Sequence, residues 1–447
     1  MKKTFLLIIA LVAVMSAGAQ RIVTLQQCID NARNHNRNLQ KASLDIQMAS
    51  EQAAEARTKY YPQISANAMA FQAFDKMIKA DGTVPMEVAV ISQALAPYAG
   101  QPYSISELNR SYTAMLSVVE PIYAGGQIHT ANDLAQLQTD VKQLQYKLTE
   151  TEVTQKVTEN FWKIVAVKYN LMTLDAADKQ IAALYKHVEQ YVQAGVVNRN
   201  DLLKVKLRQQ ELASSRLKLE NARTVLLMLL AQQAGFDDEI DIEFALEPTA
   251  EAPHALYAAP AEAAANRTEV ALAQKAVQAQ QLQVKMERGK NMPTVALGLM
   301  GFNTGVGGLS TTVRNALKHN MTNAMLSATV SVPISSWWGG SKAIKRQKLA
   351  LEQKQIAQLD TEERVRIDIQ TAWANLTEAY KQIDIARSSV EQAEENLRIS
   401  TESYNAGTEN LTDLLDAETL NRQAHNSLGQ ALAGYQLQKA VYELKTK

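Results

Sequence analysis

The sequence predicts a mainly α-helical protein with a small β part: long antiparallel coiled-coil helices in two structural repeats, plus four short strands per chain. Three observations predict it. Glycine and proline are sparse, at 18 and 10 of 447 residues, while Ala, Gln and Leu abound, which favours long helices. The stretch AGVVNRNDLLKVK (Ala194–Lys206) has a counterpart in AGTENLTDLLDAE (Ala406–Glu418), each an Ala-Gly, a polar loop and an Asp-Leu-Leu that opens a helix. Between the helix-period segments lie short runs in which apolar residues alternate with small or polar ones.

Taken in order, MKKTFLLIIALVAVMSAGAQ opens with Lys2 and Lys3, runs apolar from Phe5 to Val14 and exits through Ala17-Gly18-Ala19. That is the pattern of a secretory signal peptide over 1–19, cut after Ala19. The first repeat, 20–235, predicts a helix over Leu25–Tyr60 that stops at Pro62, a strand in PQISANAMAF and an excursion over Asp75–Asn109. A second strand in YTAMLSVV follows, then PIYAGG (Pro121–Gly126), a very long helix to Gln193, a turn at Gly195 and a return helix over Asp201–Ala234. An acidic, Pro-bearing linker over 236–261 joins the halves as a collar. The second repeat, 262–447, runs through a helix at Glu262–Asn291, strands in PTVALGLMG and LSATVSVPI, and PISSWWGG (Pro333–Gly340). It ends with a long helix to Asn405, a turn at Gly407 and a return helix over Leu411–Lys445. Landmarks in the same order predict an internal duplication. Each long helix, of about 66 to 68 residues, would reach roughly 100 Å. Its two flanking helices together match it in length, which predicts a two-layer rod.

The strands carry the membrane question. No helix after residue 19 can cross a bilayer, because the longest greasy run, VLLMLLA at 225–231, is too short. In the strands Ile64, Ala66, Ala68 and Ala70 share one side and Ser65 and Asn67 the other; Leu326, Ala328, Val330 and Val332 oppose Ser327, Thr329 and Ser331. Strands apolar on one face and small or polar on the other suit a transmembrane barrel, although two hairpins on a soluble sheet would alternate in the same way. In lipid, open edges are forbidden, and four strands cannot close a barrel around a channel. Pooling by three chains gives twelve strands, so a transmembrane reading predicts a homotrimer. Tyr123, Trp337 and Trp338 fall at strand-to-helix boundaries, where aromatic residues meet headgroups or pack the junction.

Chemistry is absent from the pattern. The chain has 46 basic and 46 acidic residues, so no global field recruits nucleic acid. The single cysteine, Cys28, lies on an apolar helical face as a buried thiol and excludes a cysteine-based metal cage. Six histidines are scattered with no paired spacing. Gly305, Gly307 and Gly308 lack the strand–loop–helix context of a phosphate loop. No catalytic residue, metal site or cofactor is expected, and the chain is not expected to be an enzyme.

The order of segments, the turns GVVNRNDLL and GTENLTDLLDAE, and the junctions YYP and PISSWWGG resemble the TolC-like outer-membrane efflux protein family across the whole mature chain. The resemblance implies a homotrimer with one shared twelve-stranded barrel in outer-membrane lipid. It further implies a helical tunnel through the periplasm that narrows to a closed tip, and partners in a periplasmic adaptor (membrane fusion) protein and an inner-membrane pump. The activity implied is that of a passive exit duct for small molecules or, in type I secretion, proteins. A periplasmic adaptor or a soluble coiled-coil scaffold is the alternative reading. Gly195 and Gly407 then end the incoming helices of two hairpins, with Asn200 and Thr412 as N-caps of the return helices. Asp413 and Asp416, at i and i+3, match the family's pore constriction; taken alone they read as ordinary acidic charge at a helix N-terminus. Tyr404 and Asp201 match its tip gating contacts. The position that pairs with the aspartate is typically arginine in the family and is Glu409 here, so the latch is expected to be absent or rebuilt through Arg199.

Overall fold

The computed structural model describes residues 21–74, 80–83, 100–105, 110–243, 252–307 and 320–446. The expected signal peptide, most of the excursion after the first strand, much of TGVGGLSTTVRN and the middle of the 236–261 linker lie outside the described residues.

In chain order the elements are β1 (Arg21–Val23), α1 (Leu25–His35), α2 (Arg37–Arg57), β2 (Gln63–Gln72), β3 (Ala80–Thr83), β4 (Pro102–Ile105) and β5 (Arg110–Ala124). There follow α3 (Gln127–Gln193), α4 (Arg199–Ala234), β6 (Ile240–Ile242), α5 (Pro260–Ala265) and α6 (Thr268–Gly289). The chain ends with β7 (Thr294–Gly307), β8 (Asn320–Ser331), α7 (Ser336–Asn405) and α8 (Leu411–Thr446). The fold class is the expected one: helices of 67 and 70 residues, each followed by a return helix of 36, and one four-stranded sheet. No helix of the described residues is long and apolar enough to cross a membrane.

The chain divides into two compact units. One holds the residues up to 47, 140–276 and 355 onward, and has three cores. The first gathers Val23, Cys28, Leu39, Val157, Ile164, Leu230 and Ile242 from β1, α1, α2, α3, α4 and β6. Cys28 is fully buried there, and burial pushes its thiol up to about 12. The second packs Val270, Ile369, Leu376, Ile383, Tyr435 and Tyr442; Tyr257, Trp373 and Tyr442 form an aromatic stack at its edge. The third, around Ile181, Val188, Val205 and Leu411, lies at the turns.

Two expected helices are each broken, and the breaks have one cause. The first, expected over Leu25–Tyr60, is interrupted at Asn36, whose backbone is extended. Its side chain donates to Gln233 O at 2.6 Å, while Asn31 donates to Ala234 O at 2.8 Å and Gly235 O at 3.1 Å. The C-terminal carbonyls of α4, which no helical N–H can reach, are satisfied by the break. In the second repeat the interruption at Asn266 and Arg267 does the same for α8: Arg267 Nη1 donates to Leu444 O at 2.9 Å. The polypeptide also pairs β1 with β6 in parallel. There Lys168 Nζ meets Asp241 Oδ1 at 2.8 Å and Arg223 Nη2 meets Asp241 Oδ2 at 2.6 Å. Burial alone would raise the Asp241 carboxyl, but the hydrogen bond from Lys168, the Ile242 N–H and the two cations hold it below the usual carboxylate range.

The other unit, 48–139 and 277–354, contains the antiparallel sheet in the order β2-β5-β7-β8. β5 and β7 run longer than the alternation predicts, and β8 begins at Asn320, ahead of the expected Leu326. Register places Ile64 opposite Val118, Val118 opposite Leu299 and Leu299 opposite Leu326 on one face. The other face carries the hydroxyl pairs Ser65–Ser117, at 2.7 Å, and Thr113–Thr304, at 3.1 Å. In the central strands Thr113, Met115, Ser117 and Met300 are half-buried while Tyr112, Leu116, Leu297 and Leu299 are exposed. Along the middle of the central strands the polar face is therefore the more crowded and the apolar face the more open.

Candidate functional site

Both turns close in the same way. Gly195 has φ +73° and Gly407 φ +74°. In the first, Gly195 N–H donates to Val192 O at 3.1 Å and Val196 N–H to Tyr191 O at 2.9 Å. In the second, Gly407 N–H donates to Tyr404 O at 3.0 Å and Thr408 N–H to Ser403 O at 2.9 Å. This is the Schellman pair of hydrogen bonds, which needs a left-handed residue after the helix.

The first return helix begins two residues earlier than expected, at Arg199, and the second at the expected Leu411, which corrects both N-cap assignments. Asn198 precedes α4, although its side chain makes no capping hydrogen bond. Before α8, Asn410 Oδ1 accepts from Thr412 N–H at 2.8 Å and Asp413 N–H at 3.1 Å. Asn200 and Thr412 lie inside the first turns. The reason is positional: the cap must stand two or three residues before the N–H groups it receives, and Asn198 and Asn410 are the equivalent asparagines of the two copies.

The turns pack on each other through apolar side chains. Val188, Val205 and Leu411 are buried together, with Val192, Leu202, Tyr404 and Leu415 against them. Tyr404 is thus brought into the cluster, with its hydroxyl buried and without a hydrogen-bond partner. Burial, then the charge of Asp201, raises its phenol above the ordinary tyrosine range. Asp413 and Asp416 are exposed one turn apart on α8, and Asp413 Oδ2 accepts from Asn410 Nδ2 at 2.6 Å. Glu409 accepts from Ser400 at 3.0 Å within its own turn. Asp201 pairs with Lys204 at 3.2 Å, and Lys204 Nζ donates to Thr412 Oγ1 at 3.1 Å. Lys204, in place of Arg199, therefore links the two turns.

A stronger link lies one step further along the return helices. Arg208 Nε and Nη2 donate to Glu418 Oε2 at 3.1 and 2.8 Å, and Nη1 reaches Glu211 at 2.9 Å. Arg208 Nη2 also donates to Thr419 Oγ1. Only 13% of the Arg208 side chain and 5% of the Glu418 side chain are exposed, so water screens this pair weakly. Burial opposes the charge on Arg208, and the carboxylates more than offset it. Sequence reasoning missed the pair, yet the signal was present. Where the first copy of the turn has Lys204 and Lys206, the second has Asp416 and Glu418, so the return helices carry opposite charge.

In the other unit Tyr123, Trp337 and Trp338 are exposed at 47%, 48% and 80%. Trp337 Nε1 donates to Asn291 O at 3.0 Å, just after α6. No group of histidine, cysteine, aspartate and glutamate among the described residues has the geometry to hold a metal.

The family profile described as Outer membrane efflux protein matches residues 28–232 and 259–446. The chain belongs to the outer membrane efflux protein family. It is an outer-membrane efflux channel with a periplasmic extension, and the adaptor and soluble-scaffold readings fall away. Solved structures agree in fold. A membrane protein from Pseudomonas aeruginosa is 16% identical, with 95% of this chain and 93% of that chain covered and a TM-score of 0.75. The CmeC outer membrane channel of Campylobacter jejuni is 15% identical, with 94% and 84% covered and a TM-score of 0.69. For the MtrE outer membrane channel of Neisseria gonorrhoeae the values are 16%, 94%, 88% and 0.69. No curated protein matches the chain.

Proposed function

We propose that the protein is a passive exit duct in which three copies pool their strands into one twelve-stranded barrel, gated where the two turns meet. The observation that carries this reading is the sheet of β2, β5, β7 and β8. It has an exposed apolar face, and β2 and β8 stand at its two edges. Unpaired edges cannot face lipid, and an edge strand with such a face is a template for another chain. A second copy gives eight strands, about enough to close on side chains alone; a third gives twelve and leaves a channel.

At the gate, Asp413 and Asp416 from three copies place six carboxylates around the narrowest point. The exposed pair favours cations entering there and opposes anions. Tyr404 and the apolar cluster hold the second turn against the first, and Lys204–Thr412 and Arg208–Glu418 take the place of the contact that Glu409 cannot make. A periplasmic adaptor and an inner-membrane pump supply the energy, since the chain has no nucleotide site of its own in its sequence pattern. Cargo is either small molecules or secreted protein.

Planar-bilayer conductance of the purified channel is the test. Replacing Asp413 and Asp416 together by asparagine is expected to reduce cation preference and change closed-state conductance more than Asp201→Lys does. If the ranking is reversed, the acidic pair is not the constriction.

A further inference from the structure

The four-stranded sheet keeps its methionines on one side. Met69, Met115, Met300, Met321 and Met325 all lie on the polar face, among serine, threonine and asparagine, whereas the opposite face of the same strands, mostly Ile, Leu, Ala and Val with Tyr112, Asn303 and Thr322 toward one end, has no methionine. Greasiness alone does not explain this division, because leucine serves that purpose on the other side of the same strands. Methionine differs from leucine in being unbranched and in carrying a soft, neutral thioether.

Register brings the sulfur-bearing arms together. Met300 and Met325 are direct cross-strand partners, so their Cβ atoms stand about 5 Å apart. Met115 is on the next strand, two residues from Ser117, the partner of Met300, a diagonal of roughly 7 Å. Phe302 stands opposite Met115. Met69 and Met321 share one row at the two edges, opposite Thr113 and Thr304. No carboxylate or imidazole stands in these rows, so a hard cation finds no charged anchor, while thioethers select thiophilic d¹⁰ ions.

We propose that this methionine face binds a soft monovalent cation of the Ag(I) or Cu(I) class, through Met115, Met300 and Met325 within one copy. Met69 and Met321 form a second group where β2 of one copy meets β8 of the next. The placement of this face in a water-filled passage rests on the duct reading above, whereas the register that sets three methionines side by side within one sheet does not.

Ag(I) is the probe. Methionine methyl NMR of the full mature protein in detergent, titrated with Ag(I), is expected to show saturable shifts of the Met115, Met300 and Met325 resonances. Potassium and magnesium should leave them in place. The triple variant Met115→Leu/Met300→Leu/Met325→Leu keeps apolar volume and removes only sulfur. It is expected to bind Ag(I) about tenfold more weakly or worse, with unchanged ion conductance in the absence of silver. Unchanged Ag(I) affinity in the triple variant overturns the proposal, as does silver uptake confined to Cys28 or an absence of shifts in the parent protein. A channel that is trimeric and conducts but ignores silver refutes this inference and leaves the duct standing; a protein that neither trimerises nor conducts refutes the duct.

Discussion

Gly407 sits with φ at +74° in open space, with no atom close to where a Cβ would project. Its cost of substitution is therefore torsional: Gly407→Ala is expected to lower stability by about 1–2 kcal/mol, and Gly407→Asn by less, in denaturant titrations of the solubilised protein. The Arg208–Glu418 pair follows another rule. Removing Glu418 leaves Arg208, from which water is largely excluded, with the more exposed Glu211 as its remaining carboxylate, so Glu418→Ala is expected to cost about 1–3 kcal/mol. The double change Arg208→Met/Glu418→Leu should recover most of the loss, and a double-mutant cycle measures the coupling. At this scale the glycines were legible because left-handed backbone leaves few alternatives. The caps were not, since Asn198 and Asn200 differ by two positions and only the extended backbone at Asn198 decides between them.

Among the elements, the long helices and the paired turns could be read directly, because a periodic run of nearly seventy residues has no competing interpretation. The breaks at Asn36 and Asn266 could not, because the apolar spacing continues across them and their cause is distant in sequence. Asn31 and Asn36 serve the end of α4, and Arg267 serves the end of α8. The strands were read half correctly. Alternation located all four, but the methionines of β7 and β8 obscured the polar side, since a face that mixes Ser, Asn and Met carries little contrast. β1 and β6, three residues each, are too short for any period and depend on the Lys168–Asp241–Arg223 clamp. With its folded value lowered, Asp241 contributes stability above about pH 4 that disappears as the pH falls through that lower value. Asp241→Asn is expected to lower the melting temperature at neutral pH and to flatten its dependence on acid below about pH 4, in scans that follow the first core through tryptophan fluorescence.

For the molecule as a whole, net neutrality goes with helices none of which, among the described residues, is long and apolar enough to cross a membrane, and in the proposed duct it is the sheet that meets the lipid. A four-stranded sheet with an exposed apolar face is unfinished by itself, and in the proposed duct the completing surface is a second and third copy of the same chain. Closure of that proposed ring would remove every edge and turn one face of each strand toward lipid and the other toward the passage. The mass of the purified protein in detergent, corrected for bound detergent by light scattering, tests this most directly. Three mature chains per particle are expected. A particle of one chain, or a protein that stays dispersed in buffer without detergent, would contradict the closed barrel and the gate together.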